Sequence, residues 1–304
     1  GALLWLQWRL LGWAIADSTT RVLAFAATIF MLQAGSYWGE QNLAYHQALP
    51  LVFLLGVAAL VLTGQSGKWL TASISFALSA MAGLSYISGA VAALTLGATW
   101  MAMSSAGRRS DALRERIFIG GLAATLAGAL TASIQIYLTR LRPGADPALR
   151  YELTSPDKPE FWLFLIGKIG RALGHAISPV GMEFIFALII AASLGASFLW
   201  LIRRIIRPVA DAAAWRLACF YVPFALVVAI YLLLVSFGRT SVRDSSIRDA
   251  WDVFQFAYYR FHFFWVTLLL PWVLGVAVIA WPCQPAAREW TFKRVALLLA
   301  AMFI

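Results

Sequence analysis

Long apolar segments separated by short charged loops constrain the fold of this chain more than any other feature. The clearest segments lie at 117–138, 181–202, 217–237 and 261–281. Each is long enough to cross a hydrocarbon core of about 30 Å as a helix, and none alternates in the manner of a strand. Because lipid tolerates only helices and closed barrels, the pattern predicts an all-α, polytopic helical membrane protein.

About eight complete spans are predicted, at 22–38, 50–63, 69–86, 88–103, 117–138, 181–202, 217–237 and 261–281. The part from 69 to 103 is rich in Ala, Gly and Ser, which predicts a tight helical hairpin. The first stretch, 2–16, contains Arg9, and the last, 294–304, is about half a bilayer long. We therefore expect partial terminal helices, and residues 1–304 to be a single transmembrane bundle cut from a longer protein.

The composition agrees with a membrane environment: 62% of the residues are hydrophobic and only 12% are charged, against about 25% charged in soluble domains. The net charge of +10 comes from basic residues in loops beside apolar segments, so anionic lipid headgroups explain it and no nucleic-acid partner is expected. Many of the 14 tryptophans lie near predicted span ends, where an interfacial belt would place them: Trp38, Trp69, Trp100, Trp162, Trp200, Trp215 and Trp281.

The loops fall into two sets when the predicted spans alternate across the membrane. One set carries a clear excess of Lys and Arg over acids and consists of 17–21, 64–68, 107–116, 203–216 and 283–294. The other is nearly balanced and consists of 39–49, 139–180 and 238–260. The positive-inside rule makes the first set cytoplasmic, which predicts a protein of the bacterial inner-membrane type with extracytoplasmic loops at 139–180 and 238–260.

Each of these two long loops contains a predicted amphipathic helix that lies along the membrane interface. In 161–178, Lys168, Arg171 and His175 share one face and the other faces are apolar. In 247–258, Ile247, Trp251, Phe254 and Tyr258 share one face, and Ser245 or Ser246 is the predicted cap. Two such helices would build a sheltered cleft at the lipid surface, although the loops are also explained as solvated connections.

The main candidate site is an Arg/Asp-rich segment in the loop 238–260. Arginine suits bidentate phosphate recognition, and aspartate serves as a general base or a metal ligand. The segment could therefore hold a lipid-linked phosphate near a carboxylate. The alternative is a set of Arg–Asp ion pairs on an interfacial helix. The residues are Arg239, Arg243, Asp244, Arg248, Asp249 and Asp252.

Three further sets of side chains are candidates. Lys168, Arg171 and His175 could clamp a phosphate at headgroup depth or extend toward ordinary headgroups. Glu40 could act as a catalytic base on the outer loop, or be a solvated glutamate. Arg260 and His262 lie at the mouth of the last full span and could face the cleft.

No dedicated metal motif is present, because His46, His175 and His262 lack metal-ligand spacing and the two cysteines form no CxxC. We predict no metal site, and the requirement for a divalent cation stays open. Phosphate-loop, GxSxG and dinucleotide fingerprints are also missing. The span interiors hold almost no ionisable residue, which argues against an ion-coupled transporter.

The stretch from Tyr258 to Phe264 (YYRFHFF), running into LLLPW with Pro271, resembles a pattern of GT-C-type membrane glycosyltransferases. There, an outer loop ends in an Arg–aromatic pair and enters an apolar span that contains proline. The acidic pair usual on the first outer loop is not found here, where Glu40 stands alone. The resemblance implies a polyprenyl-phosphate-linked sugar donor, an acidic base and basic residues that stabilise the phosphate leaving group.

The predicted function is therefore a membrane glycosyltransferase that acts on polyprenyl-phosphate-linked sugars at the extracytoplasmic face, with membrane lipids as its surroundings. Two alternatives come from other classes. A transporter or flippase of lipid or polysaccharide precursors predicts a polar pathway and broken spans. A non-enzymatic integral membrane protein predicts candidate side chains that do not converge on one pocket.

Overall fold

The structure, a computed structural model, describes residues 1–32, 41–106, 112–141, 153–172, 180–206, 212–239, 249–259 and 264–280. These residues form twelve helices and no strand, as the all-α prediction requires. In chain order the helices are α1 (Ala2–Ala14), α2 (Ser18–Leu32), α3 (Gln41–Thr63), α4 (Lys68–Ser85), α5 (Ile87–Ala106), α6 (Ala112–Leu141), α7 (Pro159–Gly170), α8 (Val180–Ile206), α9 (Ala212–Arg239), α10 (Ala250–Tyr259), α11 (Phe264–Thr267) and α12 (Leu270–Ala280).

Four helices in the described ranges are long and apolar enough to cross a membrane, which indicates an integral membrane protein. They are Ile87–Ser105, Ala112–Leu138, Val180–Ile206 and Ala212–Gly238. The prediction of about eight complete spans is not confirmed. The apolar parts Ala48–Thr63 and Phe264–Ala280 are shorter. Helix α4 also falls short, because Lys68, four serines and a threonine lower the mean hydropathy of its 18 residues.

The outer surfaces of α6 and α8 are apolar and exposed, as expected for helices that contact lipid acyl chains. Helix α8 is the least buried of the four long helices. The basic residues of α8, Arg203 and Arg204, lie in its last turn, and the rest of its outer face contains no lysine or arginine. Exposed side chains on these surfaces include Phe118, Leu122, Leu126 and Leu130 on α6, and Ile185, Leu188, Ile189 and Leu199 on α8.

Helices α4, α5 and α6 pack closely through small residues, and the tight hairpin predicted for 69–103 is confirmed. Only Tyr86 separates α4 from α5. A Cβ atom added at Gly97 of α5 would stand 2.4 Å from the carbonyl oxygen of Gly121 on α6. Only glycine permits this close approach of two backbones. In lipid the hydrophobic effect does not drive helices together, so such close packing stabilises their association.

Proline interrupts the hydrogen bonding of α9, and a tryptophan from another helix compensates. Pro223 has no N–H, so the carbonyl of Cys219, four residues earlier, lacks its helical donor. The indole Nε1 of Trp100 on α5 donates to that carbonyl at 2.8 Å. Trp100 is fully buried, so the prediction that it belongs to the interfacial belt is wrong.

The last apolar segment is broken between α11 and α12. In an α-helix the backbone N–H of Trp272 would donate to the carbonyl of Leu268, four residues earlier. Here it donates to the carbonyl of Leu269, so the Leu268 carbonyl lacks this helical donor. The fully buried Gln7 of α1 donates from Nε2 to the Leu268 carbonyl at 3.1 Å. Its Oε1 accepts the indole N–H of Trp272 at 3.1 Å. One glutamine side chain therefore satisfies a backbone carbonyl in the break and an indole N–H in the first turn of α12.

Polar contacts lie at both ends of the bundle, and one of them, Lys68 with Glu115, joins two loops of the predicted basic set. At one end, Arg9 donates to Thr63, Lys68 pairs with Glu115 at 2.5 Å, and Arg114 bonds to the last carbonyls of α5. At the other end, the N–H of Thr154 donates to the carbonyl of Phe237 at 3.0 Å. Helix α9 spans about 42 Å between these ends, because its 28 residues rise about 1.5 Å each. The orientation of the two ends in a membrane stays a prediction.

Candidate functional site

Helices α7 and α10, which come from the two long loops, pack against each other at the end of the bundle where α9 finishes. A Cβ atom added at Gly167 would stand 2.7 Å from the carbonyl oxygen of Phe254 and 2.9 Å from Cβ of Ala257. Phe161 and Phe164 of α7, and Val253 of α10, are buried in the same layer. Two segments that are about 90 residues apart in sequence thus form one structural unit.

The start of α8 completes this layer. Phe184 makes edge-on ring contacts with Trp251 at 5.3 Å and with Phe254 at 5.6 Å between centroids. Such arrangements of aromatic rings contribute about 0.5–1.5 kcal/mol beyond the area that they bury. The layer therefore has an aromatic core of its own, formed by α7, α8 and α10, which we call the α7–α10 layer.

Lys168 lies on the packed face of α7 and is fully buried. Its Nζ donates to the carbonyl of Ala257 and stands 5.0 Å from the ring centroid of Phe164. Sequence periodicity placed this residue on a polar face directed to headgroups, whereas the structure directs it inward. The last turn of α10 explains the difference, because its free carbonyls and the negative end of the helix dipole attract a cation.

Two more charged side chains are buried near the same corner. Arg171 ends α7, and its N–H bonds to the carbonyl of Gly167. Glu183 lies in the first turn of α8. Both are buried, and neither is without a partner. Burial of a charge is tolerated only when it is compensated, which agrees with both side chains having partners.

Asp249 caps α10 through a reciprocal pair of hydrogen bonds. The N–H of Asp252 donates to Oδ1 of Asp249 at 2.9 Å, and the N–H of Asp249 donates to Oδ2 of Asp252 at 3.2 Å. This is the capping-box arrangement, with aspartate in both positions. The helix therefore begins at Ala250, and Asp249 takes the role that the sequence assigned to Ser245 or Ser246.

The acidic and basic candidates lie at opposite ends of α10. Asp249 precedes the first residue, whereas Lys168 contacts Ala257 near the last. Eight residues of helix separate these points by about 12 Å. A single monophosphate group does not bridge this distance, so Asp249 and Lys168 do not converge on one small site.

The remaining candidates lie outside the described residues: Glu40, His175, Arg243, Asp244, Arg248 and Arg260, together with His262. Arg239 is the last residue of α9, but its side chain also lies outside them. Of the ten predicted site residues, the structure thus describes the side chains of Lys168, Arg171 and Asp249.

A short turn before α7 carries one further ionised group. The hydroxyl of Ser155 donates to Asp157 and, with the backbone, lowers the pKa of that carboxyl below its ordinary value of 3.8. Asp157 is therefore negatively charged at neutral pH close to the start of α7, where the positive end of the helix dipole favours an anion.

Among the residues that the structure describes, no group of three His, Cys, Asp or Glu side chains stands close enough to hold a metal ion. Lys168 and the pair Asp249 and Asp252 instead stabilise the two ends of α10. Asp249 is exposed, and its Oδ1 accepts the N–H of Asp252. Comparisons with protein-family models, with curated proteins and with solved structures gave no match to this chain.

Proposed function

We propose that this integral membrane protein is a glycosyltransferase that uses a polyprenyl-phosphate-linked sugar at the end of the bundle formed by the α7–α10 layer. One observation supports the proposal above the others. The loops 139–180 and 238–260, which hold nine of the ten candidate residues, are joined through the contact of Lys168 with Ala257. The described candidates Lys168, Arg171 and Asp249 thereby belong to one packed layer, and we infer that the other candidates of the two loops lie near it.

In the proposed reaction, an acceptor hydroxyl attacks the anomeric carbon of the sugar. The bond from that carbon to the phosphate oxygen breaks, and polyprenyl phosphate leaves with the electron pair. A carboxylate takes the proton of the acceptor, for which Asp249, Asp244 and Glu40 are the candidates. Arg239, Arg243, Arg248 and Arg260, with Arg171 and His175, are candidates for stabilising the charge that develops on the phosphate. Lys168 positions α10.

The capping role of Asp249 gives a sharp test of its proposed catalytic role. Asparagine caps a helix about as well as aspartate but takes no proton at neutral pH, whereas alanine does neither. We expect Asp249→Asn to keep the stability of the protein and to lower sugar transfer at least 100-fold. Membranes containing the full chain are supplied with a polyprenyl-phosphate hexose that carries a radiolabelled sugar, and loss of label from the donor is measured.

The control is Asp157→Asn, which removes an exposed carboxylate near α7 and should leave transfer unchanged. If Asp249→Asn retains full transfer while Asp249→Ala loses stability, the residue is a cap alone and its catalytic assignment is wrong. If the wild-type protein releases no label with any such donor, the glycosyltransferase proposal itself fails. Treatment with EDTA in the same assay establishes whether a divalent cation is required.

The break between α11 and α12 favours a second candidate, a transporter or flippase of a lipid-linked precursor. Transporters place their binding sites at interrupted helices, and Gln7 lies at such an interruption here. This candidate predicts that the donor crosses the bilayer of sealed vesicles with its sugar still attached. Movement of intact donor without release of label would favour it over the glycosyltransferase.

A further inference from the structure

We propose that Arg9 of α1 and Arg21 of α2, each resting on a tryptophan ring of α1, bind the phosphate group of an anionic phospholipid. We call the surface formed by Trp5, Trp8, Arg9 and Arg21 the Arg–Trp surface. It lies at the end of the bundle opposite the α7–α10 layer, because Arg9 donates to Thr63 at the end of α3. It is therefore independent of the proposed transferase site.

The sequence of α1 sorts its side chains into two faces. Leu6, Leu10, Leu11 and Ala14 are buried against the core. Trp5, Trp8 and Arg9, at spacings of three and four residues, share the opposite face. The two tryptophans remain 57% and 38% exposed, respectively. Large amphipathic rings that stay half-exposed are typical of the boundary between lipid and water.

Both guanidinium groups are held over indole rings. Cζ of Arg9 is 5.4 Å from the ring centroid of Trp5, and Cζ of Arg21 is 5.0 Å from that of Trp8. Trp8 is itself fixed by an edge-on contact with Phe25 at 5.0 Å. The planar, delocalised guanidinium keeps its outer N–H groups for an anion while it rests on a ring.

The positive charge of this surface has no acidic counterpart in the described ranges. No carboxylate there lies within ion-pairing distance of Arg9 or Arg21. Asp17, the nearest acid in sequence, accepts the N–H of Thr20 at 2.8 Å and caps the start of α2. Arg9 uses only Nε, on Thr63 at 3.0 Å, and Arg21 Nε is buried without a hydrogen-bond partner. Arg9 and Arg21 therefore form no ion pair within the described ranges.

An anionic phospholipid is the anion that fits. Its phosphate matches the N–H geometry of arginine, and its acyl chains fit beside exposed indole rings at the interface. Trp69, 88% exposed at the start of α4, marks the same boundary at this end of the bundle. A soluble phosphate compound would use the two charges but not the exposed rings.

The test is lipid binding by the full chain, purified in mild detergent and titrated with phosphatidylglycerol or phosphatidylcholine of the same acyl chains. Native mass spectrometry counts the bound lipids. We expect wild type to prefer phosphatidylglycerol. Arg9→Gln with Arg21→Gln should weaken the first phosphatidylglycerol bound by about 30-fold, if each charge contributes the usual amount at a membrane surface. Binding of phosphatidylcholine should not change.

Arg204→Gln is the matched control, because Cζ of Arg204 also lies over a tryptophan ring, 5.0 Å from the centroid of Trp200. Unlike Arg9 and Arg21, it has no second arginine–tryptophan pair described beside it. It should change phosphatidylglycerol binding less than twofold. The pair Arg9→Lys and Arg21→Lys should bind with intermediate affinity, since lysine keeps the charge and loses the forked donor. Should the double glutamine variant fail to fold, Arg9→Gln alone should weaken binding about fivefold.

Three results would overturn the proposal. These are unchanged phosphatidylglycerol binding in the glutamine variants, an equal loss in Arg204→Gln, and equal affinity of wild type for the two lipids. None of them depends on sugar transfer, so failure here and failure of the proposed enzyme are separate outcomes.

Discussion

A single indole N–H decides how α9 tolerates a proline in the middle of the protein. The carbonyl of Cys219 loses its helical donor to Pro223 and regains one from Trp100. A carbonyl in an apolar interior costs about 1–3 kcal/mol when it is left without a donor. The two residues are thus one structural feature, although 123 positions separate them in the sequence.

Trp100→Phe should lower the free energy of unfolding by about 1–2 kcal/mol plus the packing lost with the smaller ring. In a Pro223→Ala background the loss should be smaller by about 1 kcal/mol, because the alanine introduced there supplies the N–H that the Cys219 carbonyl lacks. Titration with SDS, followed by circular dichroism, measures all four proteins of the cycle. Equal costs of Trp100→Phe in both backgrounds would show that the hydrogen bond contributes nothing.

Side-chain periodicity predicted that Lys168 and Arg171 share a face of α7, but not which neighbour that face meets. The direction of Lys168 depends on the carbonyl of Ala257, which only the packing of α10 brings near. Asp249 is different, because an aspartate followed three residues later by Asp252 is a local capping signal that the sequence does contain. Local patterns are readable from a sequence, and contacts across about 90 residues are not.

The closeness of α7 and α10 depends on Gly167. Gly167→Ala should separate the two helices and lower the free energy of unfolding by about 1–3 kcal/mol, because the new methyl group meets the Phe254 carbonyl. Gly195→Ala on α8 is the matched control, since nothing lies within 4 Å of its added Cβ, and it should be neutral or stabilising. Thermal unfolding and hydrogen exchange of residues 250–259 measure the two variants. Equal behaviour of both would refute a close contact.

Hydropathy located the helices well, whereas its count of about eight complete spans is not confirmed: four helices in the described ranges are long and apolar enough to cross a membrane. Segments 117–138, 181–202 and 217–237 correspond to α6, α8 and α9, each of which is long and apolar enough to cross a membrane. The predicted segment 69–86 corresponds to α4, which is rich in small residues. The predicted segment 261–281 contains two short helices, α11 and α12, in place of one long helix. A sum of hydropathy does not register a break such as the one after Thr267.

The two ends of the bundle differ in the charge of their loops, and this difference predicts the orientation of the whole protein. Gln65, between α3 and α4, and Asp157, before α7, are exposed at opposite ends. In a variant without Cys219 and Cys283, Gln65→Cys should react with a membrane-impermeant maleimide only after the cells are opened. Asp157→Cys should react in intact cells with a permeable outer envelope. Labelling of both from one side would contradict the orientation.

The hydrogen bonds of Gln7 have a consequence for the order in which this protein assembles. Its partners, Leu268 and Trp272, are more than 260 residues away and are synthesised after the other described helices. We therefore expect α1 to enter the membrane before the groups that bind its buried amide are made, and the Gln7 contacts to form late in assembly. The amide of Gln7 thus joins the first and the last of the described helices.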